Sequence, residues 1–308
     1  MKDLRGFFLI LAAAFFWGLS ATFAKLALTD RVGIVLIAQT RVTFSFLIIM
    51  TYFLLAKPSV LKIRVSDLWR FAFVGVVGVA GSNFMYYTAI KEGTVATAIL
   101  LQYTAPIMVM GFAVATREER LTTGKVIGAF LSLAGCVLVV GGSGLALLEV
   151  APPGFVSGVA SAICFALFTV STKRLLHRYT VWTVTTYALG FASAFWIVLN
   201  PPWTVLLSGP PAATWGALIA LAVASVLVPY TLYFSGLQFI ESSRAIIAST
   251  SEPVFAIGSA ALLLGEHLQA GQALGTVCVI AAIIIVKLNG SAKAMQENHS
   301  IAGNTDAA

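Results

Sequence analysis

The chain has 308 residues, 59% of them hydrophobic and only 10% charged, with a net charge of +7 and a mean hydropathy of +0.95. Soluble domains are roughly 45–50% apolar and about 25% charged, so 12 acids and 19 bases cannot coat the surface that a soluble fold of this length exposes. A soluble enzyme, a disordered chain and a secreted disulfide scaffold are thereby excluded. Cys136, Cys164 and Cys278 sit scattered inside apolar runs, without the clustering a metal site needs, and read as small packing residues.

A membrane helix needs about 20 mostly apolar residues, and ten runs meet or approach that length. The first, 7–28, follows Lys2 and Arg5 as a signal sequence would, but its apolar stretch exceeds the usual h-region of about 7–15 residues, so it is expected to remain as a span. The second, 34–55, ends at Lys57-Pro58, and 68–90 and 94–116 are parted by Lys91-Glu92-Gly93. The polar stretch from Arg117 to Arg120 precedes 124–142, and Pro152-Pro153 opens 154–174. Next come 180–200, Pro201-Pro202, then 214–236, 243–264 and 271–288. No soluble domain fits between these spans, and 289–308, small and polar, reads as a disordered cytoplasmic tail. The expected class is therefore an all-α membrane protein with ten transmembrane helices.

Lys and Arg collect in cytoplasmic loops. Of the 19 bases, fifteen fall at the N-terminus, in the even-numbered loops or at the C-terminal end. Only Lys25, Arg31 and Lys91 fall on the other side, and Arg41 lies within a span. Both termini are thus expected in the cytoplasm, in a multi-pass protein of the cell (inner) membrane. The net positive charge is spent on this bias, so no nucleic-acid partner is expected; the partners are the lipid bilayer and a small-molecule substrate.

The two halves repeat. Pro106, Glu119, Gly124 and Gly128 match Pro253, Glu266, Gly271 and Gly275 at an offset of 147 residues, and Gly6 and Lys25 match Gly154 and Lys173 at 148. Five spans per half reverse the second copy through the bilayer, which gives inverted-topology repeats over 5–142 and 153–288 with a binding site near the midplane between them.

On Trp17-Gly18, Lys25, Arg41, Pro106, Glu119, Leu121 and Gly128, and on Glu252-Pro253, Leu264-Gly265-Glu266 and Gly275, the sequence resembles the EamA family of the drug/metabolite transporter superfamily over about residues 5–288. The resemblance implies a ten-helix carrier of small metabolites, such as an exporter of amino acids or drugs.

Arg41 and Glu252 are the most costly side chains, since a charge near the bilayer centre costs roughly 2.5–3.5 kcal/mol on insertion scales. They read either as a structural ion pair, with Arg41 snorkelling as a further option, or as ligands for substrate or proton. Asn83 and Tyr86 share a helix face and map at the same offset onto Tyr230 and Tyr233. With Tyr87, Gln102, Tyr103 and the Trp17 ring they read either as a cavity lining, able to hold a zwitterion and an aromatic or cationic group, or as interhelical glue. Pro106 and Pro253 read as hinges or as packing kinks. The Gly124–Gly128 and Gly271–Gly275 pairs suit close packing of the fifth and tenth spans, within one chain or in a homodimer. Glu119 and Glu266 suit helix N-termini, and Lys25 and Lys173 suit interface anchors.

A phosphate-binding GxxxxGK[ST] loop is absent from the sequence, as is a metal-ligand cluster, so no ATP site, cofactor or metal is expected. Secondary transport by alternating access is the leading reading. A non-transport membrane protein, either an intramembrane enzyme or an assembly or sensor protein, is the alternative; it lacks a visible nucleophile–base pair and loops long enough for a partner domain. Proton coupling and facilitated diffusion both remain open.

Overall fold

The computed structural model describes residues 2–27, 33–141, 151–207, 212–265 and 267–305. Among these residues, ten helical segments are long and apolar enough to cross a membrane. We label them α1 (Lys2–Ala27), α2 (Ile34–Ala56), α3 (Val65–Lys91), α4 (Val95–Ala115), α5 (Thr123–Gly141), α6 (Pro152–Leu176), α7 (Val181–Leu199), α8 (Thr214–Leu237), α9 (Ser242–Leu263) and α10 (Ala270–Thr305). The spans expected from the sequence are all present, and their ends shift by a few residues.

The packing follows the repeat. α1 lies against α8 and α9, and its counterpart α6 lies against α3 and α4. α2 packs on α7 and α8, while α7 packs on α2 and α3. α5 and α10 pack on each other. Exchanging each helix for the one five places on leaves this set of neighbours unchanged, as two inverted five-helix repeats require.

Four of the spans are not regular α-helices. α3 contains a π-helical segment, Val74–Gly81, and α8 contains another, Val223–Leu227. These two overlap at the offset that relates the halves. α4 is interrupted after Gln102 and resumes at Ala105; α9 is interrupted after Ser249 and resumes at Glu252. Those breaks are also repeat-equivalent, and each lies just before a proline, Pro106 or Pro253, as expected of residues that cannot donate a backbone hydrogen bond.

The glycines of α5 and α10 are used within the chain. A Cβ on Gly128 would collide with the Val286 side chain, one on Gly124 with that of Asn289, and one on Gly135 would lie 2.8 Å from the Gly275 carbonyl. Gly124, Gly128 and Gly275 therefore already serve the contact between α5 and α10 of one chain, and a homodimer through them would require these two helices to part. α10 continues as helix from its span to Thr305, through alanines, lysine, methionine and glutamate that favour helix.

This packing makes opposite forecasts for two helical glycines. Gly135→Ala should destabilise the protein by about 1–3 kcal/mol, because backbone lies where the methyl would go. Gly111→Ala, with nothing within 4 Å of its new methyl, should stabilise by up to ~1 kcal/mol through helix propensity. Thermal unfolding in detergent reads both signs.

Candidate substrate site

Glu252 owes its position to the break in α9. Pro253 has no N–H, so Ser249 loses its α-helical donor, and Thr250 and Ser251 turn before the helix restarts at Glu252. The Cys136 thiol of α5 lies 3.6 Å from the Thr250 carbonyl and donates to it. A carboxylate in the first helical turn is favoured by the helix dipole. Close by, Gly18 lets α1 approach: a Cβ there would stand 2.6 Å from the Glu252 carbonyl oxygen.

The other helices bring their polar groups to the same level. Tyr103, at the counterpart break in α4, has its hydroxyl beside the Glu252 carboxyl. Tyr86 and Tyr87 lie with ring centroids 5.7 Å apart, and Tyr86 is within electrostatic reach of Glu252. Asn83 donates to the Val79 carbonyl at 2.7 Å in the π-helical part of α3 and stands beside the Tyr230 hydroxyl. Arg41 reaches from α2 to the Ser225 carbonyl at 3.4 Å. That carbonyl has no regular α-helical partner, because the residue one helical turn further on is Pro229.

Arg41 and Glu252 do not form the structural ion pair that one reading anticipated. Arg41 is within electrostatic reach of Glu252, yet among the described residues no carboxylate is at ion-pair distance from it, and its Nε is buried without a partner. The guanidinium does not snorkel outward either, since its contact, Ser225, lies near the middle of the span that runs from Thr214 to Leu237.

Aromatic rings close one side. Trp17 packs edge-on to Tyr230 at 5.6 Å and against Tyr233 at 5.4 Å. Tyr233 is 0% exposed; its hydroxyl pairs with Thr169 at 3.0 Å and its ring stacks on Phe165 and Phe168. It therefore backs the site as a wall behind Trp17. Gln102 likewise has a framework contact: its amide nitrogen is 2.8 Å from the Ser161 hydroxyl and 3.3 Å from that of Ser82, so it ties α4 to α6 and α3. The structure thus gathers Trp17, Arg41, Asn83, Tyr86, Tyr87, Tyr103, Tyr230 and Glu252, and sets Gln102 and Tyr233 behind them. Sequence reading missed Ser225, Ser161, Thr169 and the hydrogen-bonding role of Cys136. Pro229 in mid-span was a visible signal for the first.

A cavity of about 760 Å³ opens at the base-rich end, away from these groups, bounded by Trp69, Phe73, Arg70, Lys173, Arg174 and Glu241 among others. None of the ten sequence-read binding residues lines it. Ion pairs lie around it, most of them between the halves. Lys125 bridges Glu119 at 2.8 Å and Glu241 at 3.0 Å, Arg174 meets Glu118, and Arg244 meets Asp3 at 3.0 Å. Glu119 caps α9 across the halves by accepting from the Ser243 N–H and hydroxyl, whereas sequence reading assigned it to the helix that follows it. Lys173 donates to the Leu237 and Ile240 carbonyls at the end of α8. Glu266 lies outside the described residues, and so does the side chain of Lys25. At the opposite end, Gln39 and Asn200 exchange hydrogen bonds of 2.7 Å between α2 and α7.

Among the described residues no group of three His, Cys, Asp or Glu could hold a metal ion. The cluster offers a cation, a carboxyl, hydroxyls and aromatic faces, which is equipment for binding. Gly18→Val should push α1 off Glu252 and weaken ligand affinity by at least tenfold while the protein still inserts, since overpacking of about 1–3 kcal/mol falls on this contact. Equilibrium binding on purified protein measures it.

The EamA-like transporter family model matches this chain twice, over residues 4–141 and 152–288. The chain is 26% identical over 298 residues to the inner membrane transporter YicL of Salmonella typhimurium, covering 94% of this chain and 97% of that one. It is 27% identical over 176 residues to the aromatic amino acid exporter YddG of Ancylobacter novellus, covering 55% and 59% respectively. One solved crystal structure superposes with a TM-score of 0.76 at 22% identity, over 93% of this chain and 96% of the other, and so shares the fold.

Proposed function

The chain belongs to the EamA-like transporter family, and we propose that it is a secondary carrier that exports small amphiphilic metabolites, amino acids with bulky or aromatic side chains among them, by alternating access. One observation carries the reading: at and beside the paired helix breaks, in the middle of a ten-span bundle, a carboxyl, a guanidinium with no carboxylate partner among the described residues, and several aromatic rings come together. Polar groups at that depth face an interior space, because lipid leaves them unsatisfied. The likeness to a protein named as an aromatic amino acid exporter supports the substrate class.

In this reading the two family-matched segments are the units that rock. Pro106 and Pro253 serve as hinges at the breaks in α4 and α9. Both termini face the cytoplasm, so the cavity at the base-rich end is the cytoplasmic entrance of an inward-open conformation. The Gln39–Asn200 contact then closes the outer end. Substrate passes without bond-making, so the chain acts as a carrier rather than an enzyme.

Flux into proteoliposomes over an amino-acid and metabolite panel is the direct test. Tyr86→Ala should weaken handling of bulky aromatic substrates by about 2- to 10-fold, as loss of a ring contact of roughly 0.5–1.5 kcal/mol entails, and should leave small substrates within about twofold. Equal effects on both would remove Tyr86 from the site, and no flux over the whole panel would remove the carrier reading.

Topology is tested separately. With a membrane-impermeant thiol reagent on intact cells, Trp203→Cys, exposed in the structure, should label directly. His177→Cys, also exposed, should label only after permeabilisation. The reverse pattern inverts the orientation.

A further inference from the structure

We propose that Arg41 receives the carboxylate of a zwitterionic amino acid and Glu252 its ammonium group, so that this site selects ligands carrying both charges on one small core. The proposal rests on the carrier reading above and deepens it.

Three observations lead there. The first is depth. The Arg41 guanidinium reaches the Ser225 carbonyl, near the middle of the span Thr214–Leu237, and Glu252 is near the middle of the span Ser242–Leu263. At a rise of about 1.5 Å per residue both charged groups stand ~16 Å from the base-poor ends of their helices. Two opposite charges at one level in a low-dielectric interior would normally pair. Among the described residues they do not: Glu252 has the Tyr103 hydroxyl beside it, and Arg41 has one weak carbonyl contact and a buried, unpartnered Nε. Both residues are only half-buried, so a cation and a carboxyl without an ion-pair partner are open to a molecule with the complementary charges.

The second is asymmetry. The framework of this fold is duplicated: π-helical segments, breaks and prolines recur in both halves at equivalent positions. The two charges do not recur. The position equivalent to Arg41 is Ala188 or Leu189, and that equivalent to Glu252 is Ala105. Side chains needed to build the repeat would be present in both halves, so these two serve something that has only one copy, such as a ligand held in a single orientation.

The third is the surround. Trp17 and Tyr230 pack edge-to-face, Tyr230 is within electrostatic reach of both charges, and Tyr86 is within reach of Glu252. These faces suit the apolar side chain of the same ligand, while the hydroxyls leave hydrogen bonds for its polar core.

The test uses the full-length protein in proteoliposomes with three probes: phenylalanine, phenylalaninamide and 3-phenylpropionate. The amide lacks the carboxylate and the acid lacks the ammonium group. Wild type should favour phenylalanine over each analogue by about 10- to 100-fold in competition, the range expected for a charge-assisted hydrogen bond. Arg41→Gln should collapse discrimination against the amide to within about threefold while keeping that against the acid. Glu252→Gln should do the reverse, and Arg41→Lys should restore part of the discrimination against the amide. Wild type that transports phenylalanine but accepts either analogue equally overturns the proposal whatever the variants do. So does a parallel loss of all three ligands in well-folded Arg41→Gln and Glu252→Gln, which is the mark of a structural role. Wild type that transports none of these probes and nothing in the wider panel overturns the carrier reading, and this assignment with it.

Discussion

A backbone carbonyl released inside a bilayer must find a donor, because no water is present to supply one and each unsatisfied group costs several kcal/mol. This structure is arranged around that constraint. Its spans are irregular at four places, and side chains from neighbouring helices reach backbone carbonyls at or next to three of them. Ser45 donates to the Ala222 carbonyl at 2.9 Å and Arg41 to that of Ser225. Ser161 donates to that of Ser82 at 2.9 Å, and Cys136 to that of Thr250. Regular helices would need none of these donors, but they would also present no free backbone or shifted side chains at the midplane. The irregularities and the polar cluster are one feature: the same residues that repair the helices form the lining or its support.

The two ends of the bundle are held by different chemistry. At the base-rich end the halves meet through charges: Lys125, itself buried, reaches Glu241, and buried Arg244 reaches Asp3. The carboxylate of each of these pairs is partly exposed, so water can take its place as the halves separate, whereas deleting it would leave a buried cation uncompensated. At the other end the described contact between α2 and α7 is a neutral amide pair. A carrier needs both ends to be separable in turn, and both are built from polar contacts that water can replace, in contrast to the apolar α5–α10 seam.

Much of the fold was legible because its signals are long. Ten apolar runs, short joints and a constant offset are each redundant over many residues, and the spans fell where hydropathy put them. The candidate site was legible only as a set of polar residues at similar depth, since few residue types are tolerated there. What remained hidden depended on side-chain direction. Gln102 and Tyr233 have the right polarity and depth, but their hydrogen bonds to Ser161 and Thr169 turn them into framework. Glu119 carried a cap signal, yet its partner is α9 of the other half, which local spacing cannot reveal. The π-helical segments left no compositional mark in α3; only Pro229 in α8 announced a carbonyl in need of a donor.

The packing also explains how a ligand at the midplane can influence the whole bundle. α1 belongs to the first half but lies on α8 and α9 of the second, and α6 crosses the other way onto α3 and α4. Trp17 of α1 touches Tyr230 and Tyr233 of α8, and the adjacent Gly18 touches the backbone at Glu252 of α9. A molecule seated between these groups would be in contact with both halves, and any relative motion of the halves would change its contacts. Binding shifts a conformational equilibrium only through such a difference in contacts between states. A site confined to one half would bind equally well before and after the halves move and would drive nothing. In the proposed carrier, the rings, the carboxyl and the guanidinium stand on helices from both halves, so ligand affinity there depends on conformation, which is the physical requirement for coupling occupancy to alternating access.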